Sequence, residues 1–138
     1  MTNNKIVFAV LGAAVILTGC QTVKVAPDAA QLDVAFEWPT KSGCTAVSPA
    51  MTIGNIPAET KFLEIKLTDL DKPSYDHGGG VLAYDGTGKI AAGALPPRGY
   101  AGPCPPMGWH RYEITVFALN ADKSVALGTG SAMRKFPE

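Results

Sequence analysis

The chain has 138 residues, with 12 basic and 12 acidic side chains and no formal net charge. Balanced charge without a run of like sign excludes the electrostatic footprint of a nucleic-acid binder. With 46% hydrophobic residues it is no disordered chain, and its length is that of one domain.

In chain order the first element is a targeting segment. Lys5 precedes an apolar run from Ile6 to Leu17. A membrane-spanning helix needs about 20 apolar residues, so this shorter run matches the hydrophobic region of an export signal. It ends in Leu17-Thr18-Gly19-Cys20, the order of a bacterial lipobox. Residues 1–19 are therefore expected to be a signal peptide, with Cys20 the palmitate-bearing N-terminus of a membrane lipoprotein; a plain signal peptide beside a chance cysteine is the alternative. Gln21 stands where, by resemblance to enterobacterial sorting rules, an aspartate would hold a lipoprotein at the inner membrane. The expected location is the cell envelope, on the outer membrane facing the periplasm. Acyl chains contribute about 0.8 kcal/mol per buried CH₂, enough for several of them to prevent release.

Residues 20–31, which include Lys24, Pro27 and Asp28, show little periodicity and read as a tether. The domain is expected over residues 32–138, as short strands punctuated by turns. Val34, Phe36 and Trp38 alternate within Asp33 to Trp38. Lys61 to Leu70 alternates Phe62, Glu64, Lys66 and Thr68 with Leu63, Ile65, Leu67 and Asp69. Val81 to Tyr84 and Lys89 to Leu95 flank the turn signal Asp85-Gly86-Thr87-Gly88 and predict a hairpin. Arg111 to Asn120 is the clearest strand, with Tyr112, Ile114, Val116 and Ala118 on one face, and a last strand is expected over Val125 to Leu127. No segment carries a helical stripe with caps, and 15 glycines and 11 prolines mark a turn-rich chain. The fold class is all-β, a small antiparallel β-sandwich with little helix. Phe36, Ile53, Phe62, Ile65, Leu67, Ile114, Val116 and Phe117 are its expected core.

Beyond Cys20 two cysteines remain, Cys44 and Cys104. An even pair in an oxidising compartment reads as a disulfide, with two buried thiols as the other reading.

The segment from Gly99 to Tyr112, GYAGPCPPMGWHRY, sets a rigid Gly/Pro loop before one of the two histidines. With Phe117-Ala118-Leu119 it resembles the signature of the phosphatidylethanolamine-binding protein family, also called the Raf kinase inhibitor family. Three further pieces follow that family's order: Ser48-Pro49 with Ile56-Pro57, Asp69-Leu70-Asp71-Lys72-Pro73, and His77. The resemblance implies a pocket for small anions or phospholipid head groups made by Asp69, Asp71, His77, His110 and Tyr112, with Pro105 and Pro106 as a wall. Leu70 replaces the family's usual proline and with it any special backbone geometry there, Gly78 replaces a common tryptophan and so removes a pocket wall, and the chain ends 26 residues past Tyr112, which implies a more open pocket. The chemistry is coherent by itself. A protonated imidazole is a charge-assisted donor, a tyrosine hydroxyl a neutral one, and adjacent carboxylates orient the histidines and favour their charged form.

Rival functions have weaker support. His77-Gly78-Gly79-Gly80 is similar to the oxyanion loop of some esterases, but no G-x-S-x-G nucleophile elbow accompanies it. The two histidines and two aspartates lack metal-motif spacing, so neither a metal nor a cofactor is expected. A surface lipoprotein with a vestigial pocket, serving in envelope structure or partner binding, remains the alternative to non-catalytic anion binding.

Overall fold

The computed structural model describes residues 23–39 and 43–138. The signal segment and Cys20 lie outside these residues. Eight strands form: β1 (Lys24–Gln31), β2 (Asp33–Glu37), β3 (Ala50–Gly54), β4 (Phe62–Asp69), β5 (Asp76–Ala83), β6 (Lys89–Ile90), β7 (His110–Leu119) and β8 (Val125–Phe136). The described residues contain no helix. The strands build a five-stranded sheet in the order β1-β8-β7-β4-β5 and a three-stranded sheet in the order β2-β3-β6.

The all-β sandwich is present, and it is antiparallel apart from one pair, the parallel β1 and β8. Alternation dictates the core. Leu63, Ile65 and Leu67 of β4 stand opposite Ala118, Val116 and Ile114 of β7, and all six are buried. Phe36, Met51, Ile53 and Ile90 meet them from the smaller sheet. Phe62 and Phe117, expected in the core, fall on the outer side of that alternation and are half-buried, Phe62 lying beneath the ammonium of Lys123.

Three expectations are corrected. Residues 20–31 are not a tether throughout, because Lys24–Gln31 forms β1. As an edge strand with one partner, β1 leaves Lys24, Val25, Pro27, Asp28 and Gln31 exposed, so no apolar period marks it. Its register skips between Val25 and Ala30, which accommodates Pro27 without a ladder donor. Strand structure is therefore present before Leu32. Leu32, 2% exposed, carries the chain from one sheet to the other across β8, where a Cβ on Gly130 would lie 2.3 Å from the Leu32 carbonyl oxygen. Next, Val81 to Leu95 is not a hairpin. β5 pairs with β4 and β6 with β3, so the Asp85–Gly88 turn crosses between sheets. Finally, the last strand runs on from Leu127 to Phe136, with Gly128 and Gly130 interrupting the pattern that would have revealed it.

Cys44 and Cys104 are bridged, their Cα atoms 4.6 Å apart, and both residues are exposed. That removes the alternative of two buried thiols. The backbone reinforces the staple: Cys44 N–H donates to Pro103 O at 2.7 Å and Gly102 N–H to Thr45 O at 2.9 Å.

Candidate functional site

At one end of the larger sheet the inward row changes chemistry. On β4 it runs Leu63, Ile65, Leu67 and then Asp69; on β7 it runs Ala118, Val116, Ile114 and then Tyr112 and His110. Asp69 pairs with Tyr112 across the strands, and both are buried, at 3% and 0% exposure. His77 arrives by a different device. The β4–β5 register slips between Lys66 and Thr68, a bulge at which Gly78 takes φ +68°. On one side of the bulge Leu82 and Gly80 oppose the inward Leu63 and Ile65; on the other, Asp76 opposes the outward Thr68, and His77 is turned inward. Bulges commonly re-aim a side chain beside a site in this way. A Cβ on Gly78 would sit 2.1 Å from Gly99 O, so the position where the family often has tryptophan accepts no side chain here.

Asp69 is the centre of the arrangement. Its Oδ1 accepts the amides of Asp71 and Lys72, each at 2.9 Å. Its Oδ2 lies 2.6 Å from His110 Nδ1 and 4.0 Å from His77 Nε2. Burial raises the Asp69 pKa, but the His110 hydrogen bond and the two amides outweigh burial and hold the carboxyl below its ordinary range. The Nδ1–H of His77 donates to Ala101 O at 2.8 Å, since a carbonyl can only accept. Both imidazoles are thus oriented by one ring nitrogen, and His110 keeps Nε2 for a ligand.

A cavity of about 270 Å³ opens over this centre, lined by Asp69, Lys72, Tyr75, His77, Cys104, Pro106 and His110. Wider grooves of about 330, 340 and 450 Å³ elsewhere contain no histidine. Of the residues expected at the site, Asp69, His77, His110 and Pro106 line the cavity and Pro105 does not. Tyr112 lies beneath it, its ring edge-on to His77 at 5.4 Å and stacked on His110 at 6.2 Å. Its hydroxyl is buried without a partner at hydrogen-bonding geometry. Burial first, then the nearby Asp69 charge, pushes the phenol up to about 12, so it stays a neutral donor.

Asp71, expected at the site, is not among the residues lining the cavity. Its carboxylate is held by Arg111, whose amide and Nη2 each donate at 2.7 Å and whose Nε donates at 3.3 Å. The guanidinium bond leads in lowering Asp71 to about 2. This clamp and the bond from Leu70 N–H to Arg111 O at 2.8 Å tie the D-L-D-K-P loop to β7. A proline in place of Leu70 could not donate that bond. Two lining residues were missed by the sequence reading. Lys72 lay inside the quoted motif as a bystander, and Tyr75, whose ring is 4.6 Å from His77, supplies an aromatic wall from two residues earlier in the chain. Aromatic-x-histidine was the available signal.

The glycine run is structural. Gly78 N–H donates to Asp76 Oδ1 at 2.8 Å and Gly79 N–H to Gly99 O at 2.6 Å, so two amides of the esterase-like loop are engaged. Among the described residues, no cluster of three His, Cys, Asp or Glu side chains has the geometry to hold a metal ion.

A family model described as phosphatidylethanolamine-binding protein matches residues 22–137, nearly all of the described chain. The chain belongs to that family. Its fold is similar to a crystal structure of a homologue of this family from Chlamydia trachomatis, with TM-score 0.60 and 21% identity over 81% of this chain and 99% of that one. It is also similar to E. coli YbcL, described as a member of the mammalian family, with TM-score 0.62 and 18% identity over 78% of this chain and 98% of that one. No curated protein matches the sequence at a significant level.

Proposed function

We propose that this family member is a lipid-anchored envelope protein whose cavity binds a small anion, or the phosphorylated head group of a larger molecule, without converting it. One observation carries the reading: a buried carboxylate, Asp69, holds His110 at 2.6 Å with His77 beside it on the floor of a cavity whose wall includes Lys72. With both imidazoles protonated, three cations and one carboxylate face the cavity. The carboxylate offsets the cost of burying the histidinium charges, and the surplus positive charge attracts an anion. The family's description as phosphatidylethanolamine-binding agrees with a phosphate ligand. Two features of the residues support binding without conversion. The Tyr112 phenol is held neutral, and the glycine amides that could stabilise an oxyanion are bonded elsewhere. Anchoring rests on Leu17-Thr18-Gly19-Cys20, with the outer membrane as the expected site.

Calorimetric titration of the protein at pH 6 with phosphate, phosphoethanolamine and neutral glycerol tests the binding. Both anions are expected to bind and glycerol is not. His110→Ala is expected to weaken them about 10- to 150-fold, the loss of one charged hydrogen bond of about 1.5–3 kcal/mol. No heat with either anion at millimolar concentration would leave a vestigial pocket. For the anchor, Cys20→Ala is expected to abolish palmitate labelling and precursor cleavage, and normal maturation of that variant would end the lipoprotein reading.

A further inference from the structure

The two ends of the larger sheet are set apart by the length of β8. Lys24, the first residue of β1, pairs with Val125 at the start of β8, whereas His110 pairs with Phe136 at its end. Eleven residue steps at about 3.3 Å put some 36 Å between these poles. The site lies wholly at the Phe136 pole, because Asp69 ends β4, His110 opens β7 and His77 lies at the start of β5. Cys20 precedes Lys24 by four residues, which span at most about 14 Å even when fully extended.

Setting the cavity pole down on the membrane that holds the lipid would lift Lys24 some 36 Å from it, more than twice that reach. Tilting the domain onto its flank satisfies the reach but lays the strands along the membrane, with the cavity at their end. We infer that the anchor holds the cavity away from its own leaflet, so that the site takes a water-soluble anion of the phosphate class rather than the head group of a neighbouring lipid. This rests on the anchoring and anion-binding readings above. Met107 and Trp109, 85% and 53% exposed beside Pro106, belong to the same far pole. On this account they meet the aqueous side and do not insert into the anchoring membrane.

The test uses the full lipidated protein in vesicles of phosphatidylcholine alone or with phosphatidylethanolamine. A dye is attached through Val25→Cys or Met107→Cys, with the native Cys44–Cys104 bridge intact and an energy acceptor on the lipid head groups. Transfer is expected to be strong from position 25 and several-fold weaker from position 107. Phosphoethanolamine, titrated into both vesicle types, is expected to bind within twofold of the same affinity. Equal or stronger transfer from position 107 overturns the orientation. A tenfold weaker apparent affinity in phosphatidylethanolamine vesicles overturns the soluble source, because membrane head groups would then be competing. Failure of the underlying readings shows elsewhere. Loss of phosphoethanolamine binding even in detergent overturns the pocket and the ligand source with it. A purified mass lacking acyl chains on Cys20 overturns the anchor and the orientation together.

Discussion

The middle of β4 and β7 and the end of the same two strands share one register and one inward face, yet they are held by different forces. In the middle, Leu63, Ile65, Leu67, Ile114, Val116 and Ala118 are buried with no polar atom to satisfy, and burial itself stabilises them. At the end, Asp69, Tyr112 and His110 continue the row, and the buried carboxylate needs the amides of Asp71 and Lys72 and the His110 imidazole. Pleat alternation decides which side chains point inward whatever their chemistry. The site exists because polar residues occupy positions that the pleat would bury anyway, and the loops beyond the strands supply their partners.

Substitutions can separate the two regions. The largest expected effect is in the apolar half. Ile114→Ala, 1% exposed in the native protein, should lower unfolding stability by about 2–5 kcal/mol in a denaturant titration while the folded fraction still binds phosphate with unchanged affinity. Cys104→Ser comes next at about 2–4 kcal/mol, because the bridge closes a separation of 60 residues and pins the wall of the cavity. Non-reducing peptide mapping should show the linked Cys44–Cys104 pair, and free thiols in the purified protein would contradict it. Asp69→Asn should cost about 1–3 kcal/mol, since an amide can still accept from Asp71 and Lys72 but loses the charged bond to His110. A loss as large as that of Ile114→Ala would mean that the site end is core like the rest.

The smallest effect is on acid stability. Asp71 is depressed to about 2 by Arg111, so its contribution is complete above its unfolded value of 3.8 and fades as pH falls from there toward 2. Asp69, also depressed, fades in the same direction below 3.8. Melting temperature followed from pH 5 to pH 2 should therefore fall, and Asp71→Asn should flatten part of that decline. An unchanged profile in this variant would show that the Arg111 clamp adds nothing to folding.

Much of this was legible in the sequence. β4 and β7 alternate without interruption, so both strands follow from period two, but the pattern left their buried face open, and Phe62 and Phe117, expected inside, lie on the outer side. The Gly/Pro loop, the two histidines and the D-L-D-K-P segment could be joined through family resemblance. Other features were hidden for physical reasons. β1 carries no apolar period because exposed residues fall on both parities of the strand. The turn at Asp85–Gly88 has hairpin chemistry but joins different sheets, and turn residues cannot report which partners the flanking strands choose. The inward turn of His77 depends on a bulge whose extra residue is defined only against β4. Asp71 was assigned to the site through the family resemblance of the D-L-D-K-P segment, and its capture by Arg111 is a contact across 40 residues that the sequence does not display.

A crystal structure of the protein soaked in phosphate tests the account most directly. It predicts an anion in the cavity above Asp69, within hydrogen-bonding distance of His110 Nε2 and in reach of Lys72, and absent from a crystal of His110→Ala treated identically. An empty cavity at saturating phosphate, with His110 still bonded to Asp69 and the mouth open to solvent, would contradict the claim that this polar end of the sheet is a binding site.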